Sequence, residues 1–163
     1  MSSAEINIHG TAIVIAKRGL LFLGPSGCGK SALAFACLTQ ARRAGAFAAL
    51  VADDRVLLSG SEGRIIARCP EAIRGLIELR GCGIVRCDSV STAVLDLAIQ
   101  VVTLPAADRL PPENERYVAA EIGSLPMVRI WNLAPDPLAY LAALSPILQH
   151  ESPFDPTVPQ ILT

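Results

Sequence analysis

Aromatic side chains are scarce in this chain: one Trp, two Tyr and four Phe make up 4% of its 163 residues. The 52% hydrophobic content therefore rests on small and aliphatic residues, which predicts a core built from them. An excess of charge of either sign is also missing. Fourteen Lys and Arg face fifteen Asp and Glu, a formal net charge of −1, so no basic field attracts nucleic acid. No apolar run approaches the roughly 20 residues that a membrane-spanning helix needs. The start, Met1 to Glu5, has neither the basic residues nor the apolar stretch of a secretory leader. These absences predict a cytoplasmic chain with no nucleic-acid partner and no membrane span. The five cysteines (Cys28, Cys37, Cys69, Cys82, Cys87) contain no C-x-x-C pair and are odd in number. That excludes a disulfide framework and a structural zinc site. Length predicts one domain over 1–163, with residues 150–163, which carry three prolines, as a flexible tail.

What the chain does have is Gly24-Pro25-Ser26-Gly27-Cys28-Gly29-Lys30-Ser31, a complete G-x-x-x-x-G-K-[ST] loop. It follows the apolar run Leu20–Leu23 and precedes the helix-like run Ala32–Leu38, the strand–loop–helix context that gives the motif meaning. The glycines let backbone N–H groups converge on phosphate oxygens, and the helix N-terminus adds partial positive charge. Lys30 reaches the outer phosphates and the Ser31 hydroxyl can ligate Mg²⁺. All eight residues are candidate nucleotide contacts. A chance glycine-rich turn is the competing reading, and the flanks argue against it. Cys28 sits near a helix N-terminus, where thiols are activated, but a small side chain filling the loop is the simpler reading.

Along the chain, Ile6–Ile15 reads as two short strands meeting at His9-Gly10, and Lys17–Gly19 as a hairpin turn into Leu20–Leu23. The helix after the loop runs from Lys30 to about Ala44 and stops at Gly45. Phe47–Ala52 reads as a buried strand ending at Asp53-Asp54. Val56–Leu58 and Arg64–Ala67 flank a turn at Ser59–Gly63, and Val94–Val102 reads as one strand. Pro105–Pro126 reads as a loop with at most a short helix, and Pro137 to about Leu148 as a helix. Strands outnumber helices, which argues against an ordinary doubly wound sheet.

Two further segments carry chemistry. Carboxylates at a strand end beside a phosphate loop hold Mg²⁺ or take a proton from a nucleophile, although Asp53-Asp54 in a solvated turn reads equally well. Glu78-Leu79-Arg80-Gly81-Cys82-Gly83 combines a charged pair with glycines that permit close backbone approach. Glu78 can reach a metal, and Arg80 can balance it or meet phosphate; an exposed ion pair is the plain alternative. His9 alone is more often structural than catalytic. Arg109 and Arg116 fall in the expected loop, where arginines are usually solvated but can close over a transferring phosphoryl group.

In order, His9-Gly10, Gly24–Ser31, Val51–Val56, Ile77–Ile84 and Asp108–Leu110 resemble the catalytic domain of the HPr kinase/phosphorylase family. The Ile77–Ile84 segment is close to that family's E-I-R-G-L-G-I signature, and the likeness covers roughly residues 6 to 130. The resemblance implies an α/β fold related to the nucleotide-binding part of phosphoenolpyruvate carboxykinase: a strand-rich mixed sheet whose phosphate loop leads into a helix. It implies an ATP- and Mg²⁺-dependent serine kinase acting on HPr or an HPr-like phosphocarrier of the phosphotransferase system. By position, Asp54 is the general base, Lys30 contacts the β- and γ-phosphates, and Ser31 and Glu78 ligate Mg²⁺. His9 lies beside the transferring group, Arg109 stabilises its charge, Asp53 supports the metal and Arg80 shapes the signature loop. The resemblance further implies a homo-oligomer, with a hexamer as one candidate. Three departures stand out. The match begins near residue 6, without the family's N-terminal domain, as in short α-proteobacterial forms. The family's P-V-x-x-G-R-N stretch appears as Pro126–Asn132 without its glycine, which weighs against phosphorylase activity. One helix and a proline-bearing tail stand where the family has extended C-terminal helices. A small-molecule kinase or ATPase, or a nucleotide-sensing module without turnover, would use the same loop. Phosphate transfer to HPr separates these readings.

Overall fold

Two long strands, β1 (Glu5–Ile15) and β3 (Ala48–Ser61), pair antiparallel over almost their whole length. They are seen in a computed structural model that describes residues 4–105 and 110–149. The tail expected from residue 150 onward, and Arg109, lie outside the described residues. β1 is continuous through His9-Gly10, where two strands were expected, because Gly10 stays in register opposite Asp54 and the ladder has no reason to break there. β3 likewise runs straight through Asp53-Asp54 instead of ending there.

β2 (Arg18–Leu23) returns from β1 through a turn at Ala16-Lys17, tighter than the expected Lys17–Gly19 because Arg18 and Gly19 already pair with Ile15 and Val14, and feeds the glycine loop. α1 (Lys30–Arg43) then buries Lys30, Leu33, Ala34, Cys37, Leu38 and Ala41, a stripe at helical spacing. It ends as the sequence predicts. Gly45, at φ 81°, donates to the Arg42 carbonyl, and the Ala46 N–H returns to Ala41, a paired closure that satisfies the last carbonyls. β4 (Arg64–Arg68) completes a hairpin with β3 around Glu62-Gly63. β5 (Leu76–Leu79) and β6 (Gly83–Arg86) form a separate two-stranded hairpin.

The apolar run Val94–Val102 is two strands, β7 (Thr92–Leu95) and β8 (Leu97–Val102), not one. The corner is Asp96, which accepts from the Gly19 N–H at 2.9 Å while its own N–H donates to Gly19 O. β7 therefore pairs with β4, and β8 with β2. The chains cross tightly there: a Cβ on Gly19 would lie 2.0 Å from the Val94 carbonyl oxygen. Gly19→Ala is expected to destabilise the fold by about 3 kcal/mol, since backbone cannot yield as a side chain can. An unchanged midpoint in urea unfolding would contradict this crossing.

The segment expected to be a loop from Pro105 to Pro126 contains β9 (Arg116–Ala119) and the start of β10 (Gly123–Trp131). Pro126 is tolerated because it sits where β10 changes partner, from antiparallel β9 to parallel β8. α2 (Pro137–Leu144) opens with Asp136 accepting from the Ala139 N–H, as the Pro at its start predicts. The expected single C-terminal helix is divided at Ser145. Pro146 has no N–H to continue the ladder and begins α3 (Pro146–Gln149).

Among the described residues eight strands form one mixed sheet in the order β7-β4-β3-β1-β2-β8-β10-β9, with β2, β8 and β10 mutually parallel. One face, including Ile13, Leu20, Phe22, Leu50 and Ile99, packs under α1 and α2. The other face buries Leu21, Val51, Val56, Leu58, Ile65 and Leu125, where Ile122 meets Gly60 and Ile65 meets Gly123 across the curled sheet. Each fully buried aliphatic side chain contributes about 1.5–3 kcal/mol. Cysteines serve this core: Cys37 is wholly buried, and burial pushes its thiol far above its usual range. Among the described residues all five cysteines are free. The glycine loop stands at the carboxyl ends of the parallel trio, where open α/β sheets place ligands.

Candidate active site

The loop leaves β2 and enters α1 through Gly29, whose φ of 109° turns the chain into the helix. α1 has no side-chain cap and no acidic residue in its first turn. An anion therefore meets no competing acceptor at that N-terminus. Lys30 is buried, 6% exposed, and its Nζ donates to the carbonyls of Gly24 at 2.8 Å and Pro25 at 3.0 Å. The lysine is held across the loop mouth by groups that outer phosphate oxygens can replace.

Asp53 ties three elements together. Its Oδ1 accepts from the Thr11 hydroxyl on β1 at 2.8 Å and from the Ser31 hydroxyl on α1 at 2.6 Å. Its Oδ2 accepts from the backbone N–H of Glu78 on β5 at 3.0 Å. Asp53 is 5% exposed, and all three of these partners donate to it. Asp54, its neighbour, is exposed, and its Oδ1 lies 3.0 Å from His9 Nδ1.

Adjacent residues of a regular strand point to opposite faces, yet Asp53 and Asp54 line one cleft. The backbone of Asp54 makes this possible, and a bulge upstream sets which face Asp53 takes. Ala12 pairs with Ala52 but Ile13 with Leu50, so Val51 is an extra residue in β3, a bulge. Asp54 itself adopts φ 70°, which aims its side chain away from the regular alternation.

The cleft, about 130 Å³, gathers His9, Ser26, Gly27, Gly29, Lys30, Ser31, Asp53, Asp54, Glu78 and Arg80, with Thr11 at its floor. Pro25 and Cys28 line a different hollow, on the side of Gln100, Glu115 and Arg129, and Cys28 is buried. In that hollow Arg129 forms a two-pronged pair with Glu115 at 2.6 and 2.9 Å and holds its carboxyl below the usual range. Arg116 bonds Ser124 in the β9–β10 hairpin, away from the cleft. Ile130, at the position of the missing glycine, is buried in the core beneath the helices and does not line the cleft. Asn132, two residues on, abuts Gly29.

The residues present fit a magnesium-bound nucleotide. Ser31 and Glu78 supply the hard oxygens Mg²⁺ prefers, beside a buried carboxylate that orients the first of them. Thr11 was not singled out by the sequence. Its only signal is position: two residues beyond His9, it shares His9's face of β1.

The family model of the HPr Serine kinase C-terminal domain matches residues 2–107. This chain belongs to that family. An HPr kinase/phosphorylase from Clostridium tetani (strain Massachusetts / E88) is 35% identical over 95 residues, 57% of this chain and 29% of that protein. One from Thermoanaerobacter sp. (strain X514) is 42% identical over 81 residues, 49% of this chain and 25% of that protein. The chain thus spans under a third of the length of these HPr kinase relatives. The solved structure of the Hpr(Ser) kinase/phosphatase from Coxiella burnetii superposes with a TM-score of 0.65 at 26% identity. That match covers 85% of this chain and 97% of the Coxiella chain. The HPr kinase family match thus includes the strand-rich mixed sheet as well as the loop.

Proposed function

We propose that this chain is the catalytic domain of an ATP-dependent protein-serine kinase acting on HPr or an HPr-like phosphocarrier. The observation that carries this reading is the Asp53 junction, which joins the phosphate loop at Ser31 to the signature hairpin at Glu78, with Asp54 and His9 beside it. A nucleotide-sensing module needs the loop but has no use for an exposed carboxylate held on a bulged strand at the loop's mouth. The sheet and its loop-to-helix junction also support kinship with the nucleotide-binding part of phosphoenolpyruvate carboxykinase.

In this reading Lys30 binds the β- and γ-phosphates, and Asp54 accepts the proton from the acceptor seryl hydroxyl. The seryl oxygen bonds to the γ-phosphorus as the bond to the β–γ bridging oxygen breaks, and ADP leaves. His9 orients Asp54 through their 3.0 Å contact. Ser31 and Glu78 would hold Mg²⁺, which draws charge from the outer phosphates. Arg109 is proposed to offset charge on the transferring group. The chemistry is chiefly positioning and charge neutralisation. A single domain over 1–163, a cytoplasmic location and a homo-oligomer, hexamer included, belong to the same proposal. Among the described residues no helix is long and apolar enough to cross a membrane.

Radiolabelled ATP, Mg²⁺ and purified HPr test the assignment. Label on an HPr serine is expected; phosphate released equally well without HPr would replace the kinase reading by an ATPase. Glu78→Gln is expected to raise the Mg²⁺ concentration for half-maximal turnover by roughly tenfold or more, since a neutral amide is a poorer ligand. A Mg²⁺ titration with equal midpoints in both proteins would remove Glu78 from the metal site.

A further inference from the structure

The β5–β6 hairpin brings a second cation to the phosphate loop. The Arg80 guanidinium lies over Gly27 so closely that a Cβ built there would be 2.4 Å from Nη1 and 3.2 Å from Cζ. Gly27, at φ 79°, also occupies a backbone region that favours glycine. The bare crest of the loop is thus what admits the arginine. Arg80 is exposed, whereas Lys30 is buried with Nζ engaged by Gly24 and Pro25.

Charge in the cleft favours a second cation beside Lys30. Of the ionised groups lining the cleft, Lys30 and Arg80 face Asp53, Asp54 and Glu78, two cations against three carboxylates. Without Arg80 one buried lysine would face all three, and a triphosphate brings several more negative charges. An exposed arginine near a hairpin turn is commonly just solvated. Here it lies over the phosphate loop and shares a cleft with Lys30.

We infer that Arg80 binds the outer phosphates of the nucleotide directly, as the clamp opposite Lys30, and is not merely a support for the signature hairpin. The inference rests on the nucleotide reading above. The end of the nucleotide it meets follows from its neighbours. Arg80 is two residues from Glu78, whose N–H is anchored to Asp53, and Asp53 holds Ser31. That is the metal end of the cleft, where β- and γ-oxygens lie. Arg80 therefore reads the length of the phosphate chain. A planar guanidinium suits two oxygens at once, which an ammonium does not.

The test is calorimetric binding of AMP-PNP, ADP and AMP, each with Mg²⁺, to the wild type, Arg80→Gln and Arg80→Lys, with thermal midpoints recorded. Arg80→Gln is expected to weaken AMP-PNP about 10- to 100-fold, the loss of one or two charge-assisted bonds. ADP should lose less and AMP almost nothing, and Arg80→Lys should recover part of the AMP-PNP loss. Equal affinities for all three ligands in Arg80→Gln and wild type would overturn the inference and leave the nucleotide reading standing. So would an equal loss for all three ligands with a lowered midpoint, which is the mark of a structural role. A wild type that binds none of the three would overturn the nucleotide reading itself, and this inference with it.

Discussion

Lys30→Ala is expected to lower the phosphoryl-transfer rate by on the order of 100- to 1,000-fold or more, the scale set by losing one preorganised charge at a transition state. The lysine is 6% exposed and spans the loop, with Nζ donating to Gly24 O and Pro25 O. Its removal subtracts the buried cation from a cleft that also holds three carboxylates. It also leaves two carbonyls without their donor. Each such bond contributes about 1 kcal/mol, so a modest fall in unfolding midpoint should accompany the loss of rate. Lys30→Met keeps most of the apolar stem and isolates the charge; it should be as inactive as the alanine variant but more stable. Near-normal turnover in a folded Lys30→Ala protein would withdraw the nucleotide site from the loop.

Local features of this protein were the legible ones. The loop, the helix that follows it and its glycine stop are all written between Gly24 and Gly45, because each depends on short-range sterics and hydrogen bonding. The turns expected at Lys17–Gly19 and Ser59–Gly63 are present but tighter, at Ala16-Lys17 and Glu62-Gly63, because the ladders extend through Arg18-Gly19 and Ser59–Ser61. What long-range pairing decides was not legible. The end expected at Asp53-Asp54 vanished because β1 continues opposite it, and nothing in the run Leu50–Val56 announces the extra residue at Val51. The break at Asp96 depends on Gly19, 77 residues earlier. β9 and the start of β10 were hidden by prolines, which mark loops in general, although one of them, Pro126, falls where β10 changes partner.

The site divides along the same line. The loop's proposed ligating groups, Lys30 and Ser31, come from the motif, whereas the Thr11–Asp53 bond joins residues 42 apart and needs the folded sheet. The loop has two sides. Pro25 and Cys28 turn toward the Arg129–Glu115 hollow, and Ser26, Gly27 and Gly29 face the carboxylates. A motif carries the order of residues along a loop, and only the chain around it settles which neighbour each side chain meets.

Replacing Asp54 by Asn is expected to reduce kcat by about 100- to 10,000-fold, the range of general acid–base assistance, with ATP affinity nearly unchanged. Asp54 is exposed, two-thirds by side-chain area, and its one described partner is His9. An amide there keeps shape and costs little stability, but it cannot take the seryl proton. Asp53→Asn should behave differently. Both carboxylate oxygens of Asp53 accept, Oδ1 from two hydroxyls and Oδ2 from the Glu78 N–H. An asparagine offers one acceptor oxygen and turns an NH₂ toward a donor, leaving a buried group unsatisfied at a cost of about 1–3 kcal/mol. That variant should lose stability and Mg²⁺-dependent nucleotide binding together, since Ser31 and Glu78 both lean on this carboxylate. The two single variants therefore separate the roles: one loses rate with binding intact, the other loses binding and unfolding midpoint. If Asp53→Asn instead kept its midpoint and its nucleotide Kd but lost kcat, while Asp54→Asn stayed active, the buried carboxylate would be the base and the exposed one its bystander.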